Sequence, residues 1–188
     1  MNISKHYDIY VLRDDKRLGG TKSIALSNLD DGVSEYVYSS PVYGGFQIAL
    51  AGYFKNRATI FTPARKKLFQ NTIETINLGA NVHQIPYGYM SVLKKRAKDY
   101  ISQNPNTKLI SFGANDKVIT DKLTEYAENV IDNIPIKLKE IWVAVGSGTL
   151  MSCILNAKNI DNIKVFGVQV GGAYNINSKN KNYEIMKY

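Results

Sequence analysis

In the stretch RLGGTKSIALSNL a lysine follows two glycines and a threonine, and it opens an apolar run of helical character. The amine of Lys22 is protonated in water, with a pKa of about 10.4. Partial burial or a nearby positive charge shifts it toward the free amine, which can attack an aldehyde and form a Schiff base. Gly19 and Gly20 would let the backbone approach a flat ring closely. The plain alternative is an exposed lysine on the first turn of a helix. A nucleotide-binding Walker loop is excluded, because Thr21 precedes the lysine where glycine is required and Lys16 holds the earlier glycine position.

The second constellation is WVAVGSGTLMS, an apolar strand that runs into Gly146, Ser147, Gly148 and Thr149 before a helix. Backbone N–H groups at such a turn point at an anion, the helix dipole favours negative charge, and the two hydroxyls can add hydrogen bonds. A strand–helix turn with a Ser or Thr cap is the bland reading. The dinucleotide fingerprint is not met, since Met151 stands where its third glycine belongs.

The elements that would position these groups alternate. A helix is expected over 45–55, with Phe46, Ile48, Ala49, Leu50 and Tyr53 as apolar residues, followed by a buried strand at ATIFTP. Leu68, Ile73, Ile76 and Leu78 suggest the apolar face of the next helix, and NVHQIP the next strand. A helix from Tyr89 to Asn104 buries Met90, Val92, Leu93, Ala97 and Ile101, and KLISFG is a third strand. Asp121 is the expected N-cap of the following helix. EIWVAVG, TLMSCILNA and IKVFGVQVG read as strand, short helix and final strand, with Trp142 in the core and Cys153 a small packing residue. The polar stretch from Asn175 to Tyr188 lacks periodicity and reads as a surface tail or a segment cut off from its continuation. Strand–helix alternation of this kind predicts the α/β class, an open and mostly parallel sheet with helices on both faces. Ligands of such sheets bind beyond the carboxyl ends of the strands.

The 188 residues suffice for one domain or two small lobes, with 44 % hydrophobic and 21 % charged residues. The net charge of +8 points to an anionic partner. Its clusters, Arg65-Lys66-Lys67 and Lys94-Lys95-Arg96, lack interleaved aromatics and read as solvated helix faces, so nucleic acid is not the expected ligand. One cysteine permits no internal disulfide and fits a reducing compartment, and with His6 and His83 it cannot furnish an ordinary zinc site. MNISKHYDIY has no signal-peptide core and no apolar run approaches a membrane span, so a cytoplasmic location is expected.

Together these residues resemble the fold-type II pyridoxal-phosphate enzymes, and among them 1-aminocyclopropane-1-carboxylate deaminase and D-cysteine desulfhydrase. The resemblance is carried by LRDDKRLGGTKSIAL (12–26), YSSPVYGGFQIALA (38–51), the segment 58–88 and IWVAVGSGTLMS (141–152). It implies that Lys22 forms a Schiff base with pyridoxal 5'-phosphate, that Gly146, Ser147, Gly148 and Thr149 hold its phosphate, and that Gly44 and Gly45 face the cofactor. Ser39, Ser40, Tyr43 and Gln47 would face the ring or the carboxylate of a small amino acid, with β-elimination or deamination as the outcome. Asp14 and Asp15 would brace the Lys22 loop.

The implied architecture is similar to the tryptophan synthase β-subunit. A large cofactor lobe (1–37 and 104–188) would join a small mobile lobe (38–103), and a homodimer is a possible assembly. Family members commonly place asparagine over the ring, where this chain reads Tyr43-Gly44-Gly45-Phe46-Gln47. The alternative reading is a repurposed relative that binds a phosphorylated small molecule at 146–149 without a Schiff base.

Overall fold

The structure is a computed structural model that describes residues 2–86, 88–170 and 174–187. The chain separates into two compact units, Met1–Phe112 and Gly113–Tyr188. The lobe boundaries expected from the sequence, at 37/38 and 103/104, both fall inside the first unit. The earlier of them cuts a strand.

The first unit opens with an antiparallel hairpin, β1 (Ile3–His6) and β2 (Ile9–Leu12). Two 3-10 turns, Asp14–Lys16 and Thr21–Ala25, lead into the single-turn helix α1 (Leu26–Leu29). The core is a parallel sheet in the order β5-β4-β3-β6. Its strands are β3 (Glu35–Ser39), β4 (Ala58–Pro63), β5 (Asn81–Ile85) and β6 (Thr107–Ile110). Every residue of β4 is buried, as expected of a central parallel strand covered on both faces. Pro63 is tolerated because it is the last residue of the strand.

Helix α4 (Met90–Gln103) covers one sheet face, with Ala97 against Val37 and Phe61. Helix α2 (Gly45–Phe54) covers the other, where Phe54 stacks on Tyr36 at 3.9 Å and Phe46 meets Tyr38 edge to face at 5.2 Å. Each such buried aromatic or aliphatic side chain contributes roughly 1.5–3 kcal/mol. Helix α3 (Gln70–Asn77) packs on α2.

The apolar face expected for α3 is corrected: Ile73 and Ile76 are exposed, and Thr72 and Thr75 are buried instead. A threonine can face inward here because the Thr75 hydroxyl donates back to the Asn71 carbonyl at 2.7 Å. The basic cluster at 65–67 lies in the non-helical segment before α3, whereas 94–96 lie exposed on α4 as expected.

The second unit contains α5 (Lys117–Asn133), β7 (Glu140–Val145), α6 (Thr149–Leu155), β8 (Lys164–Gln169) and β9 (Tyr183–Lys187). Its three strands form a second parallel sheet in the order β7-β8-β9. Val145, Val165, Met151, Leu155 and Ala127 form its core, with Tyr183 and Ile185 packed against them.

Three expectations change in this unit. Helix α5 begins four residues before Asp121, with Asp116 at the N-cap position; Asp121 lies one turn inside, paired with Lys117 at 2.6 Å. Ile119, Leu123 and Ala127 recur every four residues and carry the buried stripe upstream of the expected start.

The polar tail contains a strand, because Tyr183 and Ile185 alternate inward while Glu184 pairs with Lys164 on the other face. Trp142 is 54 % exposed, since alternation sends Ile141 and Val143 to the core and Trp142 to the opposite face, stacked on Phe166 at 4.5 Å. Cys153 is buried as expected. Gly171, at the end of the expected last strand, lies outside the described residues. Among the described residues no helix is long and apolar enough to cross a membrane.

Candidate functional site

The loop that carries Lys22 is held against α2 by two close approaches. Gly19 has φ of 76°, and a Cβ there would fall 2.3 Å from the Ala49 backbone. One turn further along α2, a Cβ on Gly52 would fall 2.4 Å from the Leu18 side chain. Gly19 is therefore required by contact with helix backbone and by its left-handed conformation, whereas at Gly52 the contact is with the movable end of the Leu18 side chain. The Ser23 hydroxyl closes the turn by donating to the Gly20 carbonyl at 2.8 Å. Just upstream, Asp14 is buried and pairs with Arg17 at 2.9 Å, while the exposed Asp15 pairs with Arg13. Lys22 itself is half-buried, and its Nζ lies 6.0 Å from the centre of the Phe46 ring.

This brings the lysine to the amino terminus of α2, which faces the carboxyl edge of the sheet. Strand β3 ends at Ser39, the chain turns through 40–44, and α2 starts at Gly45 after Gly44. Gly44 has no side chain to cap the helix, and a Cβ there would fall 2.5 Å from Ser40 Oγ, whereas the space beside Gly45 is open. The first N–H groups of a helix have no partner within it and attract an anion.

Near the carboxyl ends of β3 and β4 and in α2, three buried polar atoms have no hydrogen-bond partner among the described residues: Ser39 Oγ on the α4 face of the sheet, and Gln47 Oε1 and Thr62 Oγ1 on the α2 face. Their residues are 4 %, 0 % and 0 % exposed. Gln47 Nε2 is committed to the Pro41 and Val42 carbonyls at 3.3 Å each, so its amide is fixed with the oxygen unanswered. Each orphaned group costs about 1–3 kcal/mol unless something answers it.

Of the residues expected to face a substrate, Ser39, Ser40 and Gln47 are thus buried around the turn. The Ser40 hydroxyl donates to the Pro41 carbonyl at 3.0 Å. Tyr43 is 69 % exposed, set edge-on to Phe69, with its carbonyl held by Asn71 Nδ2 at 2.9 Å. Thr62 was not singled out from the sequence; a threonine inside an apolar strand reads as β-propensity, and only its unanswered hydroxyl marks it.

In the second unit β7 ends at Val145 and α6 begins at Thr149. Gly148 has φ of 90° and a Cβ there would fall 2.3 Å from the Asn175 carbonyl oxygen, so no other residue fits. The Asn175 amide donates to the Ser147 carbonyl at 3.0 Å. Thr149 Oγ1 donates to the Gly113 carbonyl at 2.8 Å and lies 3.1 Å from Ser147 Oγ, while the space beside Gly146 is open.

A separate ionic cluster lies at the amino edge of the first sheet. The buried Tyr36 hydroxyl donates to Asp31, which also takes Lys108 Nζ at 2.6 Å, and Arg57 grips Asp30 at 2.7 Å. The Lys108 ammonium, and then the Tyr36 hydroxyl, hold the Asp31 carboxyl down at about 2. Burial, and then the bond to Asp31, push Tyr36 up to about 12.

The Asp31 contribution to stability is therefore complete above its unfolded value of about 4 and is lost as pH falls toward 2. That of Tyr36 is complete below about 10 and is lost as pH rises toward 12. Urea midpoints measured from pH 6 to 2 should fall less steeply in Asp31→Asn than in the unsubstituted chain. Parallel curves would refute the coupling.

No family model and no curated protein sequence matches the chain. Solved structures do. A hydrogen sulfide-producing enzyme from Fusobacterium nucleatum superposes with a TM-score of 0.74 at 15 % identity, over 99 % of this chain and 76 % of that one. An ACC deaminase homologue gives 0.72 at 18 % identity, over 85 % and 55 %. The O-acetylserine-dependent cystathionine beta-synthase from Helicobacter pylori gives 0.67 at 17 % identity, over 95 % and 70 %.

The fold is that of the fold-type II pyridoxal-phosphate enzymes. The chain spans 55 % of the length of the deaminase homologue and 46 % of that of threonine deaminase isoform 2 from Solanum lycopersicum. Within this fold the expected α/β class holds, with the parallel strands divided between two sheets.

Proposed function

We propose that the protein is a pyridoxal-phosphate-dependent lyase or deaminase acting on a small amino acid, with Lys22 carrying the cofactor covalently through Nζ. One observation carries the reading: a half-buried lysine lies beside the amino terminus of α2, on the sheet face where the buried Gln47 Oε1 and Thr62 Oγ1 have no hydrogen-bond partner among the described residues. Those atoms fit a ligand rich in polar groups, and the open space beside Gly45 leaves room for it to approach the helix. In the second unit, taken by itself, the turn Gly146, Ser147, Gly148 and Thr149 would offer a phosphate its backbone N–H groups, because the Thr149 hydroxyl is engaged by the Gly113 carbonyl.

The cofactor, when bound, supplies the electron sink for a carbanion. The chain's own part is placement and proton handling. The first turn of α2 attracts the substrate carboxylate, and Gln47 Oε1 accepts a hydrogen bond from a donor group of the ligand. The Lys22 amine takes or returns a proton at the substrate's α- or β-carbon. The solved structures that the fold matches include a threonine deaminase, a serine racemase and a cystathionine beta-synthase, which supports the class of chemistry.

Saturating the purified chain with pyridoxal 5'-phosphate should produce a visible absorption band that borohydride bleaches and fixes to one peptide. Absence of the band in a folded sample would end this reading.

A further inference from the structure

The Lys22 amine lies within reach of an aromatic ring. Nζ lies 6.0 Å from the centre of Phe46, the second residue of α2. The ring has little freedom: Phe46 is 6 % exposed and is fixed edge to face on the buried Tyr38 at 84°. The backbone from which Lys22 projects is fixed to the same helix by the contacts of Gly19 with Ala49 and of Leu18 with Gly52. Lysine loop and helix therefore move together, and the path from backbone to ring is short. A ring face attracts an ammonium group through its quadrupole, and an aliphatic side chain of equal volume offers no such force.

We propose that Phe46 is a positioning residue for Lys22: its ring holds Nζ beside the amino terminus of α2, where a carbonyl carbon would be presented. This deepens the proposed function and rests on Lys22 being the lysine that carries the cofactor. It also gives Phe46 a task at a turn where related enzymes are expected to use polar residues.

The test compares the unsubstituted chain with Phe46→Met, which keeps volume without a ring, and Phe46→Tyr, which keeps the ring. With 13C-labelled lysine, the Lys22 ε-methylene resonance is assigned as the one missing in Lys22→Arg. Ring current should displace it upfield in the unsubstituted chain and in Phe46→Tyr, and the displacement should vanish in Phe46→Met. The borohydride-trapped adduct formed at a sub-saturating concentration of pyridoxal 5'-phosphate should fall about threefold in Phe46→Met and recover in Phe46→Tyr.

A Lys22 resonance at the ordinary lysine position in the unsubstituted chain overturns the proposal, even if the methionine variant fails to fold. Equal adduct in all three proteins overturns it as well. A ring-shifted Lys22 that forms no adduct overturns the cofactor reading instead.

Discussion

Lys22→Ala abolishes the visible band and the borohydride-trapped peptide, however much pyridoxal 5'-phosphate is added. The reason is chemical: the covalent link needs a primary amine, and the amine must lie at the site. The chain has many other lysines; Lys22 places its Nζ 6.0 Å from the ring of Phe46 in the first turn of α2. Lys16, in the exposed turn before the glycines, serves as the control, and Lys16→Ala should leave the band unchanged. Lys22 is half-buried, so its truncation should shift stability by only about 1 kcal/mol. Loss of signal would then report chemistry rather than unfolding. Any turnover of an amino acid should fall by about 10²–10⁴-fold, the usual worth of a positioned proton carrier. A Lys22→Ala protein that keeps both band and trapped peptide would place the attachment elsewhere.

Gly19→Ala should be among the most damaging substitutions of one methyl group in the first unit. The added carbon would meet the Ala49 Cα, N and Cβ at 2.3 Å, and these atoms belong to a buried helix that cannot yield. The positive φ adds strain of its own. Overpacking and left-handed strain each cost roughly 1–3 kcal/mol, so a combined loss of about 2–5 kcal/mol is expected. Gly20→Ala separates the two effects, since Gly20 has φ of 74° but open space around its Cβ position. It should lose only the strain, about 1–3 kcal/mol. Urea denaturation of the two variants decides the matter: equal midpoints would show that the loop is not seated on α2. Where Gly19→Ala still folds, the Lys22 amine is displaced from Phe46, and cofactor capture should weaken beyond the loss in stability.

Much of this was legible locally. Strands β4, β5 and β7 and helices α2 and α4 announce themselves through apolar runs and periodicity, which are properties of contiguous residues. Lys22 after its glycines and the turn 146–149 could be picked out for the same reason, because a motif is a local pattern. Misreadings arose where local pattern and packing disagree. Thr72 and Thr75 turned inward because α2 lies against them and a backbone carbonyl takes the Thr75 proton. Trp142 turned outward because strand alternation outranked its hydrophobicity. Strand β9 hid in a polar tail because only Tyr183 and Ile185 reach the core, and the strand forms by pairing with β8.

The sequence by itself determined the α/β alternation, the lysine after paired glycines and the glycine turn that opens α6. Tertiary structure alone decided that the parallel strands divide into two sheets, that Gly19 sits on Ala49, that Lys22 Nζ lies within reach of the Phe46 ring and that Ser39 Oγ, Gln47 Oε1 and Thr62 Oγ1 are buried without a partner among the described residues. Each of those facts joins residues far apart in the chain, and the energy of a contact depends on distance in space, which periodicity along the chain does not encode.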